Sequence, residues 1–296
     1  MQSDTLPPAA SIEGEPSDNV VAVLQSMNGE EQAQVPIEDL DNIVPIQAVP
    51  AWRLNAAVWN KAGKNPVVAV VIDDLGLSEN ATLILTAMPG PYTLAYLPYA
   101  DNLPEQTGYV KAAGHELMVH LPMQPKNRET DPGSNALLSS LSQEEFERRV
   151  NWNLSQFDGY VGVNNHMGSE LTEDAGAMVR VMMKLRQNGH LFLDSLTSPK
   201  SVGVRAAKAT GVPYISRDIF LDNVREEGAI EEQLEKLERI ARIRGYAVAI
   251  GHPYDITLET LTKWQKTLKE KKISLVPLSQ VVAAQEAGRH GAETAR

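Results

Sequence analysis

The chain contains no cysteine, which removes disulfides, thiolate metal sites and thiol nucleophiles from consideration. No apolar run approaches the roughly 18 residues needed to span a bilayer. Residues 1–50 lack lysine and arginine altogether, so the basic n-region of a signal peptide is missing and none is expected in this chain. Nine of the 38 acidic side chains lie in those residues; with them set aside, acids nearly balance the 27 bases, although the whole chain carries a formal charge of -11. Neither part holds the basic stripe that nucleic acid or an anionic membrane surface would require. Also absent are G-x-G-x-x-G after the first strand, a P-loop and a G-x-S-x-G elbow.

What is there divides into four stretches. Residues 1–50 are rich in Pro, Ser, Gln, Glu and Ala. Low hydrophobicity with one-sided charge cannot repay the entropy of ordering, so a disordered acidic arm is expected. Residues 51–65 form a connecting segment in which Trp52, Leu54 and Trp59 have a loosely helical spacing, expected to pack as a helix or lid on the main domain. Residues 66–284 form that domain, and residues 285–296 a C-terminal tail. The domain opens on Val67–Ile72, an unbroken apolar run dominated by valine, which reads as a strand buried on both faces. Strand and helix signals then alternate, with glycines 114, 189, 211 and 245 closing helices and Ser142 to Glu145 opening one as a capping box. Such alternation implies a parallel sheet. The fold class is therefore α/β, a distorted (β/α) barrel of seven or eight parallel strands, with an open doubly wound sheet as the alternative.

In a parallel barrel the strand C-termini share one face, where catalytic groups gather. Asp73 and Asp74 follow strand one, His120 strand three, Asn164, Asn165 and His166 strand four, Asp194 strand five, Arg217 and Asp218 strand six, and His252 strand seven. His115 belongs to the opposite face, and His190 and His290 read as ordinary loop or tail residues. A lone aspartate after a strand is commonly a helix cap. Two adjacent carboxylates are costly unless a cation or proton neutralises them, and capping accounts for only one. Together with three histidines they point to a metal site of the carboxylate and imidazole type used by catalytic zinc, iron and cobalt.

These residues resemble the divergent polysaccharide deacetylases, carbohydrate esterases with a NodB-type domain. The likeness spans about Pro66 to Val281. It rests on Val71-Ile-Asp-Asp-Leu-Gly76, Gly114-His-Glu-Leu-Met-Val-His-Leu-Pro-Met-Gln-Pro125, Asn164-Asn-His-Met-Gly-Ser169, Phe192-Leu-Asp-Ser195, Phe220-Leu-Asp222 and Ala249-Ile-Gly-His-Pro253. The resemblance implies metal-dependent removal of acetyl groups from N-acetylated sugars of an envelope polysaccharide. It makes Asp73 the base and Asp74 and His120 metal ligands. Where ordinary deacetylases carry a second histidine four residues after the first, this chain has Gln124, so His166 is the expected third ligand. His252 is the expected acid, oriented by a carboxylate such as Asp194. Arg217 stands in for an arginine that orients the base, and Asn165, Arg217 and Asp218 are expected at the substrate. The cofactor is a divalent metal, zinc first, with cobalt, manganese, nickel and iron as alternatives. A carbohydrate is the expected partner and the periplasm or cell envelope the expected location. The competing readings are a carbohydrate-binding or scaffolding protein that has lost turnover, and a metal hydrolase on a phosphate or amide substrate.

Overall fold

The computed structural model describes residues 49–59, 63 and 65–293, so nearly all of the expected acidic arm lies outside the described residues. Nine strands are described: β1 (Val67–Leu75), β2 (Thr93–Tyr96), β3 (Glu116–Met123), β4 (Gly162–Met167), β5 (Leu191–Asp194), β6 (Tyr214–Ser216), β7 (Ile219–Phe220), β8 (Tyr246–Gly251) and β9 (Ser274–Leu275). The α-helices among the described residues are α1 (Ala51–Leu54), α2 (Glu79–Ala87), α3 (Leu103–Ala112), α4 (Gln143–Leu154), α5 (Ala175–Gln187), α6 (Gly203–Thr210), α7 (Glu227–Arg244), α8 (Asp255–Gln265), α9 (Leu268–Lys271) and α10 (Leu278–Glu293). Eight strands lie in the order β6-β5-β4-β3-β2-β1-β8-β7, and β9 pairs with the start of β1. Every pairing between named strands is parallel.

The fold is thus the α/β half-barrel that the alternation implies, with one strand the sequence hid. β7 is two residues long, too short for any periodicity to register. The sheet stays open between β6 and β7, its two ends. Arg217 and Asp218 carry the chain across this gap: the Arg217 N–H donates to the Asp194 carbonyl and the Asp218 N–H to the Val248 carbonyl. α10 continues to Glu293, so most of the stretch expected as a tail is helix.

Register fixes what faces the barrel interior. Ala69 and Val71 of β1, Ala95, Met118, Leu191, Leu193, Ile215, Val248 and Ile250 form one buried cluster, closed at the opposite end by Trp52 and by Leu278, Val281 and Val282 of α10. Side chains alternate along a strand, so the next inward position after Val71 is Asp73 and after Met118 is His120. His120 lies opposite Asn164 in β4, and continuing the β1–β8 register past Ile72 and Gly251 sets His252 beside Asp73. These polar side chains form the layer above the core. Gly162, opposite Met118, can only be glycine: a Cβ there would lie 2.2 Å from the Leu191 carbonyl oxygen.

Helix ends follow the sequence. Ser142 accepts from the Glu145 N–H at 3.2 Å, and Gly211 and Gly245 close α6 and α7 in the left-handed region.

Candidate metal centre

Adjacent strand residues point to opposite faces, so Asp73 and Asp74 should diverge. They do not, because Asp74 has φ 57 and the β1–β2 register shifts between Ile72 and Leu75. This bulge turns the second carboxylate back toward the rim. A non-glycine residue in that region stores backbone strain. What the conformation achieves is convergence: His166 Nδ1 stands 2.8 Å and His120 Nε2 3.1 Å from Asp74 Oδ1. One ligand atom from each of Asp74, His120 and His166 lies within 4.8 Å of the others.

Asp74 Oδ1 is buried, and the groups turned toward it are the His120 and His166 ring nitrogens. Two imidazole nitrogens and one carboxylate oxygen around a common point form the donor set of a divalent cation site, so the residues present fit a metal. Burial alone would raise the Asp74 carboxyl, but the His120 and His166 imidazoles hold it well below the ordinary carboxylate range. His120 is buried; desolvation disfavours its charged form, yet Asp73 and Asp74 outweigh this and lift it to about 9.

Asp73, 3% exposed, has a different environment. Burial pushes its carboxyl up, against the opposing pull of His120, His252 and the Asn164 amide. Asn164 Nδ2 donates to Asp73 Oδ1 at 2.7 Å, and its Oδ1 lies 2.9 Å from His120 Nδ1. On the other side, His252 Nε2 is 3.8 Å from Asp74 Oδ2, and its Nδ1 is 2.9 Å from Asp222 Oδ1. Although burial disfavours its charge, Asp222 together with Asp73 and Asp74 raises the His252 imidazole. A cleft of about 210 Å³, walled by Leu75, Leu77, Ala81, Pro253 and Tyr254, opens beside Asp74 and His252.

Asp73, Asp74, His120, His166 and His252 therefore come together at one rim. Asp194 does not join them. Leu193 faces the interior, so Asp194 faces outward, where it accepts from Ser201 Oγ at 2.7 Å and the Leu196 N–H at 2.9 Å. The carboxylate that orients His252 is Asp222, and it had escaped a role because it follows the two-residue β7. Asn165, between two inward residues, is buried and holds the rim: it donates to the Met167 carbonyl and Thr197 Oγ1 and accepts from the Ser195 N–H. Arg217 Nε and Nη2 donate to the Ser195 and Leu196 carbonyls at 2.9 and 3.2 Å, although its charge still acts on Asp73. Asp218 pairs with Arg244 and accepts from the Val248 N–H, and is not one of the Asp74, His120 and His166 group. Gln124 Oε1 is engaged by the Ser139 N–H and Oγ. Tyr99, half-buried after β2, is a rim residue the sequence did not single out; burial and Asp74 raise its phenol.

The family model for divergent polysaccharide deacetylases matches residues 70–282. The chain belongs to that family. As a divergent polysaccharide deacetylase family member it is similar to the uncharacterized protein YibQ of Escherichia coli (strain K12), at 35% identity over 221 residues, 75% of this chain and 68% of the relative. An uncharacterized protein of Haemophilus influenzae (strain ATCC 51907 / DSM 11121 / KW20 / Rd) is 34% identical over 203 residues, 69% of this chain and 72% of its own. Among solved structures, an uncharacterized protein from Agrobacterium tumefaciens C58 matches with a TM-score of 0.76 at 26% identity, covering 84% of this chain and 100% of that one. The part shared with the divergent deacetylases begins inside β1 and ends inside α10, enclosing every rim residue described above. Trp52 lies outside it.

Proposed function

We propose that the chain is a metal-dependent hydrolase that removes acetyl groups from N-acetylated sugars of an envelope polysaccharide, with zinc as the first candidate cation. The observation that carries this reading is the convergence of Asp74, His120 and His166 on one point, between a buried carboxylate on one side and a carboxylate-backed histidine on the other. A divalent cation at such a site acidifies water and polarises an acyl oxygen. Asp73, kept basic by burial, accepts the proton from the attacking water. His252, protonated more readily than an ordinary histidine, gives a proton from Nε2 to the departing amine while Asp222 holds Nδ1. The proton on Asp73 then returns to the His252 side through solvent, restoring both groups. Leu75, Leu77 and Ala81 offer apolar wall beside the ligands, and the sugar occupies the open side of the cleft. The envelope setting is part of this proposal and follows from the substrate.

The test is acetate release from N-acetylglucosamine oligomers and peptidoglycan by protein loaded with zinc, cobalt, manganese or nickel, with Asp73→Asn and His252→Ala as controls. Metal-dependent release that both variants lose supports the reading. Saturable sugar binding without release favours the non-catalytic alternative, and the absence of any thermal stabilisation by all four metals overturns the metal site itself.

A further inference from the structure

We infer that Asn164 is a positioning residue that sets the tautomer of His120 and holds Asp73 with the same amide, locking ligand and base into one unit. The side chain is fully buried, and each of its polar positions is used. Nδ2 donates to Asp73 Oδ1 at 2.7 Å and to Ser195 Oγ at 3.2 Å, while Oδ1 faces His120 Nδ1 at 2.9 Å. The orientation of the amide is dictated by its partners, because an ionised carboxylate only accepts. With Nδ2 committed to Asp73, the group presented to His120 is an oxygen. His120 Nδ1 must therefore keep its hydrogen when the ring is neutral, so the nitrogen that gives up its proton and offers a lone pair to the ligand cluster is Nε2, 3.1 Å from Asp74. In other metal sites outer partners of a ligating histidine do the same with a carboxylate or backbone carbonyl. Here a single amide serves the histidine and the neighbouring carboxylate together. β4 can deliver it because Asn164 lies opposite His120 in the register and faces inward between them.

The inference rests on the metal-hydrolase reading, and two variants separate its parts. Asn164→Leu keeps the approximate volume but removes both bonds. Asn164→Asp keeps an acceptor for His120 Nδ1 and replaces the amide donor with a second carboxyl, which shares a proton with Asp73 and so takes up the lone pair of the base. Zinc affinity is measured calorimetrically without substrate, the His120 tautomer by long-range proton–nitrogen NMR of metal-free protein held above the pH of about 9 at which the ring becomes neutral, folding by thermal unfolding, and turnover by acetate release. The expected result is a 10- to 100-fold loss of zinc affinity in Asn164→Leu, with loss of the single Nδ1–H tautomer. Asn164→Asp should hold zinc within about threefold of wild type and keep the tautomer, yet lose at least about tenfold in kcat at unchanged KM. Wild-type zinc affinity and an unchanged tautomer in a folded Asn164→Leu overturn the inference while leaving the metal site standing. A wild-type protein that binds no metal overturns both.

Discussion

His252 and Asp222 are joined twice: Asp222 Oδ1 lies 2.9 Å from the imidazole Nδ1, and Asp222 Oδ2 accepts the His252 backbone N–H at 2.6 Å. Thr257 Oγ1, from α8, donates to the same Oδ2 at 2.9 Å. The carboxylate is therefore fixed from two elements, and it fixes the ring in turn. Its negative charge favours the protonated imidazole, as an amide would not.

On the proposed hydrolase reading, Asp222→Asn should consequently lower kcat by about 10²- to 10⁴-fold, the range that a general acid contributes, with the loss of a histidine's carboxylate partner at its upper end. Asp194→Asn provides the contrast. Its bonds to Ser201 and Leu196 organise the β5–α6 loop, so the expected effect is a lower unfolding temperature with kcat of the folded protein preserved. Steady-state kinetics beside thermal unfolding of both variants distinguishes them. Equal kcat losses would mean that Asp222 has no special part.

Asp74 carries a conformation that its side chain disfavours. At φ 57 an L-residue is strained, whereas glycine is not. Replacement by alanine and by glycine removes the carboxylate equally, so the difference between the two variants isolates the backbone. Asp74→Gly should be more stable than Asp74→Ala by about 1 kcal/mol in urea unfolding, and both should lose metal-induced stabilisation. Equal stabilities would place the strain elsewhere.

The way these residues are held explains what the sequence could disclose. Long, strongly apolar segments such as Val67–Ile72 declare themselves, and the glycines and capping box that divide the helices are local chemistry, so the parallel α/β fold was legible. The rim histidines and the aspartate pair stand at strand ends, which made Asp73, Asp74, His120, His166 and His252 legible as a group. Orientation was not. Asp194 follows a strand as Asp222 does, but one faces away from the barrel and the other toward His252, and only register decides that. The bulge at Asp74 depends on the packing of β1 against β2. Asn165 and Asn164 are chemically identical neighbours, and their alternation assigns one to the rim loop and the other to the site.

Trp52 was legible only as a packing residue, and its position gives a stability prediction. The ring is 3% exposed and joins the buried cluster at the end of the barrel away from Asp74, His120 and His166, with the Trp52 backbone N–H donating to the Gly189 carbonyl at 2.9 Å. Trp52→Ala should cost about 3–5 kcal/mol, as for other buried large-to-alanine changes, while zinc affinity per folded molecule stays the same. Chemical unfolding and calorimetry check the two halves. A variant with unchanged stability would show that α1 is dispensable to the core.

His190 supplies a pH dependence that does not involve Asp74, His120 or His166. It follows Gly189 between α5 and β5, lies with its ring centroid 4.4 Å from that of Tyr160, and its buried Nδ1 has no hydrogen-bond partner. Burial without a compensating charge lowers its pKa from 6.5 to about 4. Between those values the unfolded chain binds a proton at this residue that the folded protein does not, so stability falls as pH drops from about 6.5 to about 4 and the contribution is complete above that window. A shift of this size corresponds to about 3 kcal/mol at its limit. Other titrating groups cancel when the wild type is compared with His190→Phe, which retains a ring against Tyr160 and cannot be protonated. Urea unfolding of the pair at pH 7, 5.5 and 4.5 should therefore show the wild type losing stability relative to the variant at each acid step. Parallel curves would mean that His190 is hydrated or paired in its protonated form, and that its burial does not govern the acid sensitivity of the fold.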